Sequence, residues 1–180
     1  MKQEMRRVLL TQRQELTPEM RAQQDAALRR HLLEWLARNP VHCLGVYWPI
    51  RGEPDLRELY GELAERDVQL ALPIVVAPDA PLSFSAWTPG EPMEKGAMKV
   101  PIPAAPRQTL TPEALLIPCV GFNRERVRLG YGGGFYDRTL AQTPRPIAIG
   151  IAYHQAVTDF AADLHDIALD IVLTDQGEIS

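Results

Sequence analysis

Short apolar runs that alternate with amphipathic segments constrain the fold of this chain more than any other feature. Five runs are rich in Val, Ile, Leu and Ala, and several stop at a proline: 41–48, 68–72, 115–118, 146–153 and 170–174. Short apolar runs are typical of buried strands. A proline ends such a strand, because it cannot continue the ladder of hydrogen bonds. Strands that alternate with helices predict a Rossmann-like α/β fold, in which helices cover both faces of an open, mostly parallel sheet.

Three segments have the periodicity of amphipathic helices. The first covers 2–16, and the second begins with Thr17 as its N-cap and runs to about Arg38. The third covers 56–66 and follows Asp55, which is a suitable capping residue. These helices separate the predicted strands and supply the covering layers of the sheet.

Two further stretches carry weaker patterns. Residues 82–87 alternate between polar and apolar, which predicts an edge strand with one wet face. Residues 88–114 are rich in Pro and Gly and predict the longest irregular stretch, either part of a ligand site or a surface excursion. The chain has 180 residues, no repeats and no clean boundary, so we expect a single domain over 1–180.

Composition and charge exclude several classes of protein. The chain is 46% hydrophobic and 23% charged, as in ordinary globular proteins. No apolar run approaches the roughly 20 residues that span a bilayer, and the charged N-terminus lacks a signal-peptide core. We therefore expect a cytoplasmic monomer without a membrane partner. The net charge of −4 argues against nucleic acid as a partner. Cys43 and Cys119 lie in apolar runs without a CxxC pattern, so we expect buried, reduced thiols.

A glycine-rich loop predicts a phosphate site after the strand at 115–118. Four of the five residues at 130–134 are glycine, so backbone N–H groups are free to approach an anion. A short helix is predicted over 135–140, and its N-terminus would also attract a phosphate. Arg128 and Arg138 flank the loop with positive charge. A flexible surface turn is the alternative, but such a turn does not need the flanking arginines and aromatic residues.

The loop does not match the two best-known phosphate-binding patterns. No Lys-Ser or Lys-Thr follows the glycines, which excludes a Walker A loop. The third glycine of a dinucleotide fingerprint would fall at Phe135, and about ten residues separate the strand from the loop. The residues alone therefore predict a phosphate or nucleotide site at the carboxyl edge of a parallel sheet.

Two other places carry candidate functional side chains. Glu53 follows the strand at 41–48 and stands between Gly52 and Pro54, where no helix surface explains a charge. Lys2 and Arg6 are four residues apart on the first helix and therefore share a face. Exposed loop acids and helix cations are often only solvated, so both interpretations stay open for each.

The segment Leu116–Asn123, followed by Arg128–Asp137, resembles the signature of the 5-formyltetrahydrofolate cyclo-ligases, also called methenyltetrahydrofolate synthetases. Weaker similarities lie at both ends of the chain. The resemblance implies conversion of 5-formyltetrahydrofolate to 5,10-methenyltetrahydrofolate through a phosphorylated formyl intermediate. It implies ATP and Mg²⁺ as cofactors, and a reduced folate and ATP as small-molecule partners.

The resemblance also implies roles for individual residues. Arg128 and Glu53 would be catalytic, and Asp137 and Asp166 would hold the metal. The folate would contact Trp48, Glu53, Tyr131 and Phe135. ATP would be bound by Lys2, Arg6, Arg128, Leu129, Gly130, Tyr131, Gly132, Gly133, Gly134, Phe135 and Tyr136.

The chain departs from the usual pattern of this family at two positions. In this resemblance, Asn123 stands where the family usually has Asp, and Ile102 stands where it usually has Glu. Two alternatives therefore stay open. One is another ATP-dependent ligase or kinase on the same fold, and the other is a non-catalytic paralogue that binds nucleotide.

Overall fold

The computed structural model describes residues 1–180 and contains four α-helices. Their bounds are Lys2–Gln14 (α1), Pro18–Arg38 (α2), Arg57–Glu65 (α3) and Phe135–Leu140 (α4). The Thr17 hydroxyl accepts a hydrogen bond from the Met20 amide, as expected of an N-cap. The Asp55 carboxylate accepts from the amide of Arg57, so it satisfies an amide of the first turn of α3.

Twelve short strands complete the chain. Their bounds are Cys43–Gly45 (β1), Gln69–Val75 (β2), Leu82–Trp87 (β3), Met93–Lys95 (β4), Pro101–Pro103 (β5), Thr109–Leu110 (β6), Ala114–Pro118 (β7), Gly121–Phe122 (β8), Arg128–Leu129 (β9), Ile147–Ile151 (β10), Ile171–Thr174 (β11) and Gly177–Ile179 (β12).

Eight of the strands form one mixed sheet in the order β12-β11-β10-β7-β1-β2-β3-β6. The five strands from β11 to β2 are parallel, and the pairs at both edges are antiparallel. β7 lies in the middle, and all of its residues are buried. The mostly parallel sheet is therefore confirmed, with antiparallel additions at its edges.

The two faces of the sheet are covered unequally. One face packs against α2 and α3 through side chains such as Leu28, Leu32 and Leu59. The other face packs against α4, the β8–β9 hairpin and the segment around Leu169. Helices thus lie on both faces as predicted, but only a single short helix covers the second face. No helix in the structure has both the length and the apolar character needed to cross a bilayer.

Three predictions about the strands were wrong. β2 does not stop at Pro73. The Ala71 carbonyl accepts a hydrogen bond from the Val46 amide, so the backbone polar groups of Ala71 point towards β1. Those of Pro73, two residues later, point to the same side. Because β1 has already ended there, the missing N–H of Pro73 breaks no hydrogen bond of the sheet. β3 is not the edge strand, because β6 pairs with it. The stretch 88–114 is only partly irregular, since it contains the β4–β5 hairpin and β6.

The two cysteines are free in the structure. Cys119 is buried, and burial raises the pKa of its thiol to about 11. Cys43 is only partly buried. The prediction of a buried thiol is therefore confirmed for Cys119 and wrong in part for Cys43.

Candidate functional site

A cavity of about 390 Å³ opens beyond the carboxyl ends of β1, β2 and β7. Its floor and walls come from the loop after β1, the end of β2 and the glycine-rich loop, and the β4–β5 hairpin closes one side. Most of the lining is apolar, with a carboxylate and a guanidinium among the few charged groups. An apolar cavity with a few polar groups at the carboxyl ends of parallel strands is typical of a small-molecule site.

Glu53 supplies the carboxylate of this cavity. Its side chain is only 4% exposed. Oε1 accepts from the Ile50 amide at 2.9 Å, and Oε2 accepts from the Tyr131 hydroxyl at 2.9 Å. Burial raises the pKa of the Glu53 carboxyl, and these two hydrogen bonds oppose the rise. Glu53 is therefore a buried hydrogen-bond acceptor that the surrounding residues hold in place, and not a solvated loop acid.

Arg128 supplies the guanidinium. Its Nε donates to the carbonyl of Pro118 at 2.8 Å, and its guanidinium carbon lies 5.0 Å from the centre of the Tyr136 ring. A Cβ at Gly130 would come within 2.5 Å of Arg128 Nη1. The missing side chain at Gly130 thus lets the guanidinium lie against the loop, where it faces the cavity.

The amides of the glycine-rich loop have no partner within the protein. None of the N–H groups of residues 130–134 donates a hydrogen bond to a backbone carbonyl. Gly132 has a φ of +103° and Gly134 a φ of +71°, which other residues rarely adopt. Successive free amides in such a turn form a concave anion site. The structure therefore keeps the geometry that predicted a phosphate site.

Helix α1 also contacts the glycine-rich loop. Arg6 Nε donates to the Gly130 carbonyl at 2.6 Å, and its guanidinium would lie 3.7–3.9 Å from a Cβ at Gly132. Lys2 Nζ pairs with Asp163 at 2.7 Å and with Asp166 at 3.4 Å. Arg6 is thus in place to contact a phosphate, whereas Lys2 is held by carboxylates.

The two predicted metal ligands lie near each other. Asp137 Oδ1 accepts from the Ile167 amide at 3.2 Å. Burial raises the pKa of Asp137, and the charge of Asp166 adds to the rise. No group of three or more His, Cys, Asp or Glu side chains gathers anywhere in the structure. One or two carboxylates suit Mg²⁺, which keeps several waters and binds phosphates, so this pair fits that ion.

Most other predicted residues line the cavity. Those that do are Trp48, Glu53, Arg128, Tyr131, Gly132, Gly133, Gly134, Phe135 and Tyr136. Leu129 does not, because its side chain is 1% exposed and belongs to the core. Only the backbone of Leu129 lies close to the loop.

Sequence reasoning missed several contributors to the site, and Met98 and Arg13 are two of them. Met98, at the tip of the β4–β5 hairpin, lines the cavity although its side chain is 71% exposed. Arg13 is buried and contacts Tyr131. A signal for Arg13 was present, because it lies seven residues after Arg6 and therefore on the same helix face. The signal for Met98 was only its place in a long proline-rich stretch.

The two departures from the family pattern have different surroundings. Asn123 is buried; its Oδ1 accepts from the amides of Glu125 and Val127, and its Nδ2 donates to the Phe160 carbonyl. Asn123 therefore organises the β8–β9 hairpin and does not line the cavity. Ile102 does line it and adds apolar surface there.

A sequence profile of the 5-formyltetrahydrofolate cyclo-ligase family matches residues 1–175. The 5-formyltetrahydrofolate cyclo-ligase of Mycoplasma pneumoniae is 29% identical, over 97% of this chain and 99% of its own length. That of Mycolicibacterium smegmatis is 31% identical, over 96% of this chain and 93% of its own length.

Two solved structures are similar to this chain over nearly its whole length. A 5,10-methenyltetrahydrofolate synthetase from M. pneumoniae superposes with a TM-score of 0.81 at 27% identity, over 97% of this chain and 98% of its own. One from Aquifex aeolicus superposes with a TM-score of 0.80 at 27% identity, over 98% of this chain and 91% of its own. Because sequence and fold both match over nearly the whole length, the chain belongs to the 5-formyltetrahydrofolate cyclo-ligase family.

Proposed function

We propose that this protein converts 5-formyltetrahydrofolate to 5,10-methenyltetrahydrofolate with consumption of ATP and dependence on Mg²⁺. The observation that carries the proposal is the placement of an apolar cavity with a buried carboxylate beside a loop of free amides. The cavity suits a flat heterocycle with N–H donors, and the loop suits phosphates. A reaction that joins a folate to a phosphate donor needs these two sites in contact.

The chemistry explains why no nucleophilic side chain is needed. The formyl oxygen is a poor leaving group, so it first takes the γ-phosphoryl group of ATP and ADP is released. N10 of the folate then attacks the activated formyl carbon and loses its proton to solvent, the ring closes, and phosphate leaves with that oxygen. Such a reaction needs positioning and stabilisation of charge, which is what fixed amides and guanidinium groups supply.

The residues divide into two sets in this proposal. Arg6, Arg128 and the amides of residues 130–134 would hold the phosphates and stabilise the transferring phosphoryl group. Glu53 would accept hydrogen bonds from the reduced folate, whose rings would pack against Trp48 and Tyr131. All these residues come from one chain, so we expect the monomer to be active, and we also expect it in the cytoplasm.

Asp137, with Asp166 beside it, is the place where this chain would hold magnesium. When bound, the ion would offset negative charge on the phosphates and so assist transfer. Lys2 pairs with Asp166, and its charge also acts on Asp137, so it already compensates part of the charge of this pair.

The first prediction tests the activity. Purified protein with 5-formyltetrahydrofolate, ATP and magnesium should form the methenyl product, followed by its near-ultraviolet absorbance, in step with release of ADP. Arg128→Ala should lower the rate about a thousandfold or more, since one fixed guanidinium at a transferring phosphoryl group is worth that much. Arg124→Ala is the matched control, because Arg124 lies exposed in the same hairpin.

Each rival function has its own outcome in this assay. Binding of ATP without any product, at high protein concentration, would favour a non-catalytic nucleotide-binding paralogue. Turnover of ATP with another acceptor, and no affinity for 5-formyltetrahydrofolate, would favour a different ligase or kinase on the same fold.

A further inference from the structure

The turn before Glu53 has a strained backbone, and two arginine side chains hold its carbonyl groups. Arg51 has a φ of +50° and Gly52 a φ of +77°, and only the second residue suits that region. The Arg51 carbonyl accepts from Arg13 Nε at 3.1 Å and from Nη2 at 2.9 Å. The Gly52 carbonyl accepts from Arg21 Nη1 at 2.6 Å. Two arginines, one from α1 and one from α2, thus hold successive carbonyls of this turn.

Arg13 also reaches Glu53 through a second residue. Its Nη2 donates to the Tyr131 hydroxyl oxygen at 2.8 Å, and that hydroxyl lies 2.9 Å from Glu53 Oε2. A guanidinium has no acceptor, so Tyr131 must accept from Arg13, and its single proton is left for Glu53. Arg13 therefore dictates the direction of the hydrogen bond that Glu53 receives.

The burial of Arg13 is costly for a residue that serves only stability. Its side chain is 6% exposed, and Nη1 has no hydrogen-bond partner. A buried charged group with an unpaired nitrogen is unfavourable compared with an apolar side chain of similar size. Local rules broken in this way are expected next to functional sites.

We propose that Arg13 is a positioning residue for substrate binding: it orients the Tyr131 hydroxyl and thereby holds Glu53 as an acceptor that faces the cavity. This inference rests on the proposed function, in which Glu53 binds the folate. Arg13 itself does not line the cavity. It acts from α1, the same helix whose Arg6 contacts the glycine-rich loop.

Loss of Arg13 has a definite expected effect. The Tyr131 hydroxyl would be free to turn, so Glu53 would lose a fixed donor and a nearby positive charge. Its carboxyl, already favoured in the neutral form by burial, would be protonated at higher pH, and a protonated carboxyl is a poorer acceptor for a folate N–H group. The charged and titratable groups that interact with Glu53 are Arg13, Arg128, Tyr131, Tyr47, Tyr60, Tyr136 and Cys119.

A double-mutant cycle separates positioning from simple packing. The dissociation constant of 5-formyltetrahydrofolate is measured for the natural protein, Arg13→Met, Tyr131→Phe and the double variant. Arg13→Met alone should weaken binding about tenfold or more, the effect of a lost hydrogen bond to a charged group. In the Tyr131→Phe background the same substitution should have a clearly smaller effect, which is the part due to the lost bonds to the Arg51 carbonyl. The proposal would be wrong if the loss of affinity in the double variant equalled the product of the losses in Arg13→Met and Tyr131→Phe.

Arg21→Met is the matched control for the turn itself. Arg21 holds the neighbouring carbonyl of Gly52 but does not contact Tyr131. In the double variant with Tyr131→Phe, the loss of folate affinity should equal the product of the two single losses, because the two residues act independently. Arg13→Lys should recover part of the affinity, because an ammonium can donate to Tyr131. The proposal would be wrong if the effects of both arginines on folate binding depended equally on Tyr131, or if Arg13→Lys bound folate no better than Arg13→Met. Arg13 would then only hold the backbone of the turn.

A second readout does not depend on the proposed function. The carboxyl carbon of Glu53 is titrated by NMR in the protein without ligand, and its midpoint should move to higher pH in Arg13→Met and in Tyr131→Phe. An unchanged midpoint in both folded variants would overturn the inference. Absence of folate binding by the natural protein would instead refute the proposed function and leave this titration to decide the role of Arg13. If Arg13→Met does not fold, Arg13→Lys and Tyr131→Phe are sufficient.

Discussion

Neighbouring arginines on α1 show how much the surroundings of a single residue decide. Arg6 contacts the glycine-rich loop through the Gly130 carbonyl, whereas Arg7 pairs with Glu4 on the exposed side of the same helix. Both carry the same charge at nearly the same height along the helix. Only the first is placed to bind a phosphate.

We therefore predict that Arg6→Ala weakens binding of ATP about tenfold or more, because a charge-assisted hydrogen bond to phosphate is lost. Arg7→Ala should leave it unchanged, because an exposed ion pair contributes little. Calorimetric titration with ATP and magnesium measures both, with folate binding as the second control. Equal losses in the two variants would mean that only the overall charge of the helix matters.

At the scale of elements, the β8–β9 hairpin depends on Asn123. The amide side chain accepts from Glu125 and Val127 and donates to Phe160, so it joins the hairpin to the segment that follows β10. A carboxylate could take the first two bonds but not the third, because it has no proton to donate. The family's usual Asp at this position therefore does not simply restore a missing charge here.

Asn123→Asp should lower the free energy of unfolding by about 1–3 kcal/mol at neutral pH, since a buried carbonyl loses its donor and faces a negative charge. The loss should shrink in acid, where a protonated carboxyl can donate to Phe160. Urea unfolding at pH 7 and pH 5 measures both. An unfolding free energy equal to that of the natural protein at pH 7 would show that Phe160 finds another donor.

At the scale of the whole molecule, Asp25 joins α2 to the end of β10. Its side chain is 6% exposed, and Oδ1 accepts from the Tyr153 hydroxyl at 2.6 Å. Burial raises the pKa of the Asp25 carboxyl, and the bond from Tyr153 opposes the rise. Between the ordinary and the raised pKa, the folded protein binds more protons than the unfolded chain. The contribution of Asp25 to stability therefore falls as pH rises through that window.

The variant Asp25→Asn removes this titration and keeps an oxygen for Tyr153. The unfolding free energy of Asp25→Asn minus that of the natural protein should grow as pH rises from about 4, the ordinary pKa of aspartate, and then level off. Asp79→Asn, the same substitution at an exposed site, is the matched control. Denaturant unfolding over pH 3.5–8 measures it, and a difference that shrinks with rising pH would contradict the assignment.

Several parts of the site followed from local sequence. The glycine-rich loop, Arg128 and the run of apolar residues before them predicted a phosphate site, and the structure keeps the loop amides free. Glu53 stood out because it lacked a helix to explain it. Arg13 and Met98 were missed, because the first resembles any helix cation and the second lies in a stretch without periodicity.

Local sequence by itself determined where the helices and the central strands lie, since apolar spacing, caps and proline act over only a few residues. Tertiary structure alone decided that β1 and β7 are neighbours, which brings Glu53 to Tyr131 across 78 positions of the chain. It also decided that Pro73 is tolerated within β2 and that Asn123 organises a hairpin. These outcomes depend on which distant surfaces bury one another and on which buried polar groups find partners, and neither is encoded in a local pattern.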